Sequence, residues 1–260
     1  MTGYQRRAPF YRSEFAVRDD FLLLSSLLAG EDGLVVDIPS GAGRLMPVHQ
    51  AHRRDVIMVD REPAMIAQCQ QAAADCHLTG RVTPVLGDLT TWQPPRPAAR
   101  IIVARGGLQM LPTPEAVTQA LTASAANLAD GGTLYLDVAM PWTAALESAD
   151  HLAPFLRFTR TTHLEGTSVI RADGSRIRRS HTSDLMTDRV IVRFRYQADS
   201  DAVADWEDFE TTASWLRIDA DSLLGTLRDS GLTVISLLGD YAGTPYSTRS
   251  ARLICIAAIQ

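Results

Sequence analysis

The chain has 260 residues, 46% of them hydrophobic, and a net charge of −5. That length and apolar share suit one large domain, or one domain plus an insertion, with ample core. The acidic balance and the three cysteines, Cys69, Cys76 and Cys255, exclude a broad nucleic-acid footprint, a disulfide frame and a zinc site.

In chain order, residues 4–11 are aromatic and basic and broken by Pro9. From Ser13 an apolar face of Phe15, Phe21, Leu22, Leu24, Leu27 and Leu28 predicts a helix, stopped by Gly30 and Asp32-Gly33. The apolar run 34–38 then ends in Asp37 and enters the small-residue turn Ser40-Gly41-Ala42-Gly43 before a helical pattern over 44–53. This reads as a buried parallel strand handing over to a helix. A second strand, 55–60, again ends in an acid, Asp60, and Pro63 opens the next helix, 62–76. Strand three, 81–86, precedes Gly87-Asp88-Leu89. Strand four, 100–104, enters Arg105-Gly106-Gly107. A helix over 113–128 is expected to end at Asp130-Gly131-Gly132, and strand five is 133–139. Such alternation predicts a parallel sheet with helices on both faces.

After Pro141-Trp142 the period changes. Residues 155–165, 168–171, 176–185 and 189–197 alternate apolar and polar, with Asp173-Gly174 as a hairpin turn. This predicts an antiparallel β insertion over 142–212, its arginines forming a solvated face. The main body resumes over 213–260 with a helix at 219–230 and strands at 232–238 and 252–259. Their link is too short for a parallel crossover, so the last strand is expected to run antiparallel.

A glycine turn after strand one, acids after strands one, two and three and a closing antiparallel strand together resemble the class I S-adenosylmethionine-dependent methyltransferases. The resemblance covers all but the insertion. It implies a Rossmann-like α/β fold with a seven-stranded sheet, and S-adenosyl-L-methionine as cofactor. By match, Asp37, Ser40, Gly41, Ala42 and Gly43 surround its methionine part. Asp60 binds the ribose hydroxyls, Arg61 and Met65 flank the adenine, and Gly87, Asp88 and Leu89 meet the adenine edge. Arg105 and Gly106 lie below the sulfonium. One residue departs from the pattern: the family's first glycine is Pro39 here, which fixes φ and removes a donor.

Competing readings fail on particular residues. A dinucleotide enzyme needs a third glycine where Arg44-Leu45-Met46 stands. Neither a Walker loop nor an Asn/Asp-Pro-Pro-aromatic box occurs. His49 and His52, one turn apart, are expected at the surface rather than on a metal. A small-molecule acceptor is left. By fold-level analogy the insertion resembles the lids or dimer-forming sheets of methyltransferases of secondary metabolism. A lid, a homodimer contact, or both, are expected of it, with Tyr4, Phe10 and Tyr11 closing the other side.

An amine or guanidine acceptor is the first reading, with Asp137 orienting it, Arg105 holding a carboxylate and Tyr11 closing the site. Glu207, Asp208 and Glu210 beside Trp206 and Trp215, and Tyr241, are further candidates. Small-molecule O-methylation, and a non-catalytic module that binds S-adenosylmethionine, stand as alternatives. Residues 1–7 lead to no apolar h-region and no apolar run spans a bilayer, so a cytoplasmic protein without membrane or nucleic-acid partners is expected.

Overall fold

The computed structural model describes residues 3–30, 32–140, 161–170, 176–198 and 206–259. Two β-sheets organise them. The larger is built from β1 (Val35–Asp37), β2 (Val56–Asp60), β3 (Val82–Leu86), β4 (Ala98–Val103), β5 (Leu128–Ala139), β10 (Leu232–Leu238) and β11 (Arg252–Ile259). Its order is β10-β11-β5-β4-β1-β2-β3. The strands from β3 to β5 are parallel, and β11 runs antiparallel to both β5 and β10, as its short link demands.

Side chains on β1 alternate between two cores, as period two requires. Val36 faces the layer of α5 (Pro114–Ala126) and α6 (Ala220–Asp229), with Val117, Leu121, Leu223 and Leu227. Val35 faces α2 (Phe21–Leu28), α3 (Met46–His52) and α4 (Pro63–Asp75), with Leu24, Leu28, Met46 and Cys69. The expected helix end at Asp130-Gly131-Gly132 lies inside β5 instead. Gly131 takes φ +72° there, and a Cβ on Gly132 would meet the Ala129 and Ala98 carbonyl oxygens at 2.8 Å. The glycines thus mark an irregularity opposite β4, not a helix cap.

The second sheet is antiparallel, in the order β6 (Thr161–Ile170), β7 (Arg176–Leu185), β8 (Arg189–Ala198), β9 (Phe209–Leu216). We call it the cap. Its inner face carries Ile177, Val190, Val192, Phe194, Tyr196, Phe209, Ala213 and Trp215 at alternate positions. Arg176, Arg178, Arg193 and Arg195 are exposed on the cap. Strand β9 runs through the expected boundary at 212/213 and pairs with β8 along its length, so 213–216 belong to the cap sheet. The Pro141-Trp142 entry and the Asp173-Gly174 turn lie outside the described residues.

The largest departure is at the N-terminus. Residues 3–14 form a helix, α1 (Gly3–Glu14), with Pro9 inside it, and the helix expected from Ser13 begins only at Phe21. No apolar stripe announces α1, because its partners lie on different sides. Phe10 stacks on Tyr196 of the cap. Ala8 and Tyr11 pack with Ala42 and Met65 of the core.

Candidate active site

The parallel strands deliver Asp37 and Asp60 to one edge, where a cavity of about 150 Å³ opens. Asp37, Ser40, Gly41, Asp60, Arg61, Met65, Gly87, Asp88 and Leu89 all line it. Tyr11 and Arg105 line it too. Ala42, Gly43, Gly106 and Asp137, expected at the site, are not among its walls.

Asp60 is gripped by backbone. Gly41 N donates to Oδ2 and Glu62 N to Oδ1, each at 2.9 Å. Burial pushes its pKa up, and these two donors oppose the rise without cancelling it. Asp88 also feels burial, but the Thr90 hydroxyl and amide, both donating to Oδ1, hold its carboxyl below the usual range. Both carboxylates keep lone pairs free for hydroxyl or amino donors.

The turn between β1 and α3 is shaped by sterics. The Ile38–Pro39 peptide is cis. Pro39 lies against Gly107, where a Cβ would meet its Cδ at 2.7 Å, so the proline that departs from the family pattern is matched by a glycine opposite. Gly41, at φ +54°, would bring a Cβ to 3.4 Å from the Tyr11 ring, which closes over the turn. Gly43, at φ +81°, has a different task. A Cβ there would press on Ala72 and Met46 at 3.2 Å, so its small size lets the turn pack on α4. Ala42 is buried against Ala8 and Met65.

At the other end stands Asp137, 1% exposed and saturated by protein groups. Its Oδ2 accepts from Arg105 N at 2.9 Å, Tyr241 Oη at 3.2 Å and Tyr135 Oη at 3.3 Å. Its Oδ1 accepts from Arg252 Nη1 at 3.3 Å. Asp137 therefore braces the loop after β4 and lies outside the cavity walls. The Arg105 backbone sits at φ +55°, unusual for a residue with a side chain, and its donated N–H holds it there. Its guanidinium pairs with Asp19 and Asp20. The remaining candidate acids also lie outside the cavity walls. Glu207 pairs with Arg6 and Glu210 with Arg195, and Asp208 bonds Trp206, Gln197 and Ala198.

Sequence reasoning passed over several walls: Arg7, Phe15, Gln109, Met110, Val190 and Arg252. Gln109 is informative. Its amide nitrogen donates to the carbonyls of Ala139 and Leu216, and its oxygen accepts from Ala139 N. One buried side chain thus ties the end of β5 to the end of β9, and Trp215 and Val190 of the cap reach the cavity beside it. The other anchor is Glu14. It pairs with Arg7 at 2.9 Å and Arg179 at 3.3 Å, and the Tyr196 hydroxyl donates to it. Arg7 also lies over the Phe194 ring at 3.9 Å. Nothing in the sequence pairs residue 14 with residues 179 and 196; only the fold does.

The sheet order, the closing antiparallel strand and the strand-end cavity define the class I methyltransferase architecture. Residues 35–132 match the family model described as a methyltransferase domain. No curated protein sequence matches the chain. Solved structures share the fold over nearly its whole length. A sugar N-methyltransferase from Streptoalloteichus is 19% identical with a TM-score of 0.70, covering 96% of this chain and 92% of its own. An S-adenosylmethionine-bound amino pentose methyltransferase from Micromonospora echinaspora is 16% identical with a TM-score of 0.68, covering 96% and 94%. An S-adenosylmethionine-dependent methyltransferase from Clostridium acetobutylicum is 11% identical with a TM-score of 0.71, covering 95% and 91%. The chain has the fold of S-adenosylmethionine-dependent methyltransferases, and residues 35–132 are similar to a methyltransferase domain. Among the described residues no helix is long and apolar enough to cross a membrane, and no group of three or more potential metal ligands occurs.

Proposed function

We propose that the protein methylates an amino nitrogen of a small molecule, held between the core and the cap. The observation that carries this is one cavity walled by the strand-end acids on one side and by Arg7, Tyr11, Val190 and Trp215 on the other. The same reading divides the described residues into a core, 3–30, 32–140 and 217–259, and a cap, 161–170, 176–198 and 206–216.

In this reading Asp60 takes the ribose hydroxyls, Asp88 and Leu89 the adenine edge, and Met65 and Arg61 its faces. Asp37, Ser40 and Gly41 take the amino-acid end. The fit is chemical: Asp60 presents free lone pairs to a diol, and Asp37 brings a buried carboxylate to the cavity wall. The cofactor supplies a methyl already activated by sulfonium, so this chain's task is to place a lone pair in line with it. Tyr11 and the cap exclude water from that line.

A nitrogen acceptor must arrive neutral. Arg105 and Arg252 line the cavity with guanidiniums already paired to Asp19, Asp20 and Asp137, a setting that suits a neutral amine. Two solved structures that share the fold over 96% of this chain are a sugar N-methyltransferase and an amino pentose methyltransferase. A second reading is small-molecule O-methylation, since neutral surroundings suit a hydroxyl acceptor as well. An acceptor screen with labelled S-adenosylmethionine over amino sugars, amines, phenols and carboxylic acids separates them. An alkali-stable methyl on nitrogen supports the first; only an alkali-labile ester, or only ethers, overturns it.

A further inference from the structure

His49 is 2% exposed on α3, not at the surface. Its Nε2 stands 3.6 Å from Asp37 Oδ2. That is just beyond hydrogen-bonding distance, and neither ring nitrogen nor Oδ2 has a hydrogen-bond partner. His52, on the same helix, is by contrast satisfied by Ser25 Oγ at 2.8 Å.

The surroundings make the imidazole conspicuous. Leu45, Met46, Val48 and Cys69 form one buried apolar cluster here, and a leucine at position 49 would suit it without an unpaired polar group. An unsatisfied buried donor is costly, and native proteins keep few of them. The contrast with the other two acids completes the case. Asp60 and Asp88 are each oriented by a backbone N–H. Asp37 Oδ2 has no hydrogen-bond partner and stands within ion-pair reach of His49.

We propose that His49 is a positioning residue for the cofactor, holding Asp37 turned toward the amino-acid end of S-adenosylmethionine. This rests on the reading of Asp37 given above. The imidazole can carry an N–H on Nε2. Donated to Oδ2, it fixes the carboxylate plane and leaves Oδ1 for the ligand's ammonium. The adenosine half of the ligand, held by Asp60 and Asp88, is untouched by this contact.

Calorimetry with two ligands tests it: S-adenosylhomocysteine, and methylthioadenosine, which has the same nucleoside and no amino acid. His49→Leu should weaken S-adenosylhomocysteine about tenfold and leave methylthioadenosine within about twofold; His49→Gln, which keeps a donor, should recover most of the loss. Equal weakening of both ligands, or of neither, overturns the proposal. Asp37→Asn separates the two levels. If it leaves S-adenosylhomocysteine binding unchanged, the reading of Asp37 itself fails. If it weakens that ligand alone while His49→Leu does not, only the role of His49 fails. Should His49→Leu not fold, the wild-type ¹⁵N resonance of His49 Nε2 decides: it should shift with S-adenosylhomocysteine and stay with methylthioadenosine. No shift with the former overturns the proposal.

Discussion

The Tyr241 hydroxyl donates to Asp137 Oδ2 at 3.2 Å, and its ring centre lies 4.9 and 4.8 Å from the central guanidinium carbons of Arg105 and Arg252. Burial, with Asp137 next, pushes the Tyr241 hydroxyl far up, so it stays a donor. The acid expected to serve chemistry is the hub of a buried brace. Asp137→Asn removes the charge facing Arg252 and turns one acceptor into a donor. Breaking such a buried pair costs about 3–5 kcal/mol. Denaturant unfolding should show a loss of that size. Turnover per folded molecule should stay within a few-fold, because Asp137 lies outside the cavity walls. A large fall in kcat with unchanged stability would return it to the chemistry.

Asp60 sets stability against function. Its pKa is raised in the folded protein, by burial first. The native state therefore holds this proton more tightly than the unfolded one. The stability it contributes is present below the unfolded pKa, near 3.9, and is lost as pH rises through the folded pKa. Asp60→Asn should accordingly gain in melting temperature relative to wild type as pH rises from about 3 to about 7. Its affinity for S-adenosylhomocysteine should fall at pH 7, because charge-assisted bonds worth about 1.5–3 kcal/mol each before compensation are weakened. Unchanged affinity would remove the ribose assignment.

Glu14 joins α1 to the cap. Glu14→Gln leaves the Arg7 and Arg179 guanidiniums, 3% and 5% exposed, without their carboxylate. A cost of about 3 kcal/mol or more is expected. Hydrogen exchange should rise first in α1 and in β7 and β8, with β1 and β2 little changed. Uniform loss of protection across both sheets would show that Glu14 supports the fold as a whole and not this one junction.

Much of the core was legible because short-range physics fixes it. Continuous apolar runs ending in Asp37 and Asp60, too short for helices and closed by turn residues, read as buried parallel strands, and the short link before Arg252 allows only an antiparallel return. The cap was legible as alternation, yet β9 was divided at Ala213 although Phe209, Ala213 and Trp215 keep the same period. What escaped depends on distant partners. Pro9 in α1 argues against a helix until Phe10 finds Tyr196 and Tyr11 finds Gly41. His49 looks like a surface residue until α3 turns it toward Asp37. Asp137 looks free until Tyr135, Tyr241, Arg105 and Arg252 converge on it, from positions up to 115 residues away. Strand position can be read locally; whether a side chain is already spent cannot.

Trp215 offers the sharpest division between cofactor and acceptor. It stands near the end of β9, paired with Val190 in register, and both line the cavity. Gln109 bonds the neighbouring Leu216 carbonyl, so the backbone at this point is pinned to the core. Trp215→Ala then removes a wall without releasing the strand. The side chain is 9% exposed, and truncating a buried aromatic costs about 3–5 kcal/mol of stability at most; Trp215→Phe serves as the milder partner. For both variants the KM of the acceptor should rise, more for alanine, while S-adenosylhomocysteine affinity stays within about twofold, because no strand-end acid is touched. Steady-state kinetics with the acceptor from the screen, beside calorimetry, gives both numbers. If cofactor affinity falls as far as acceptor KM rises, the cap is not an acceptor wall but part of the cofactor site. If neither changes, the acceptor lies elsewhere.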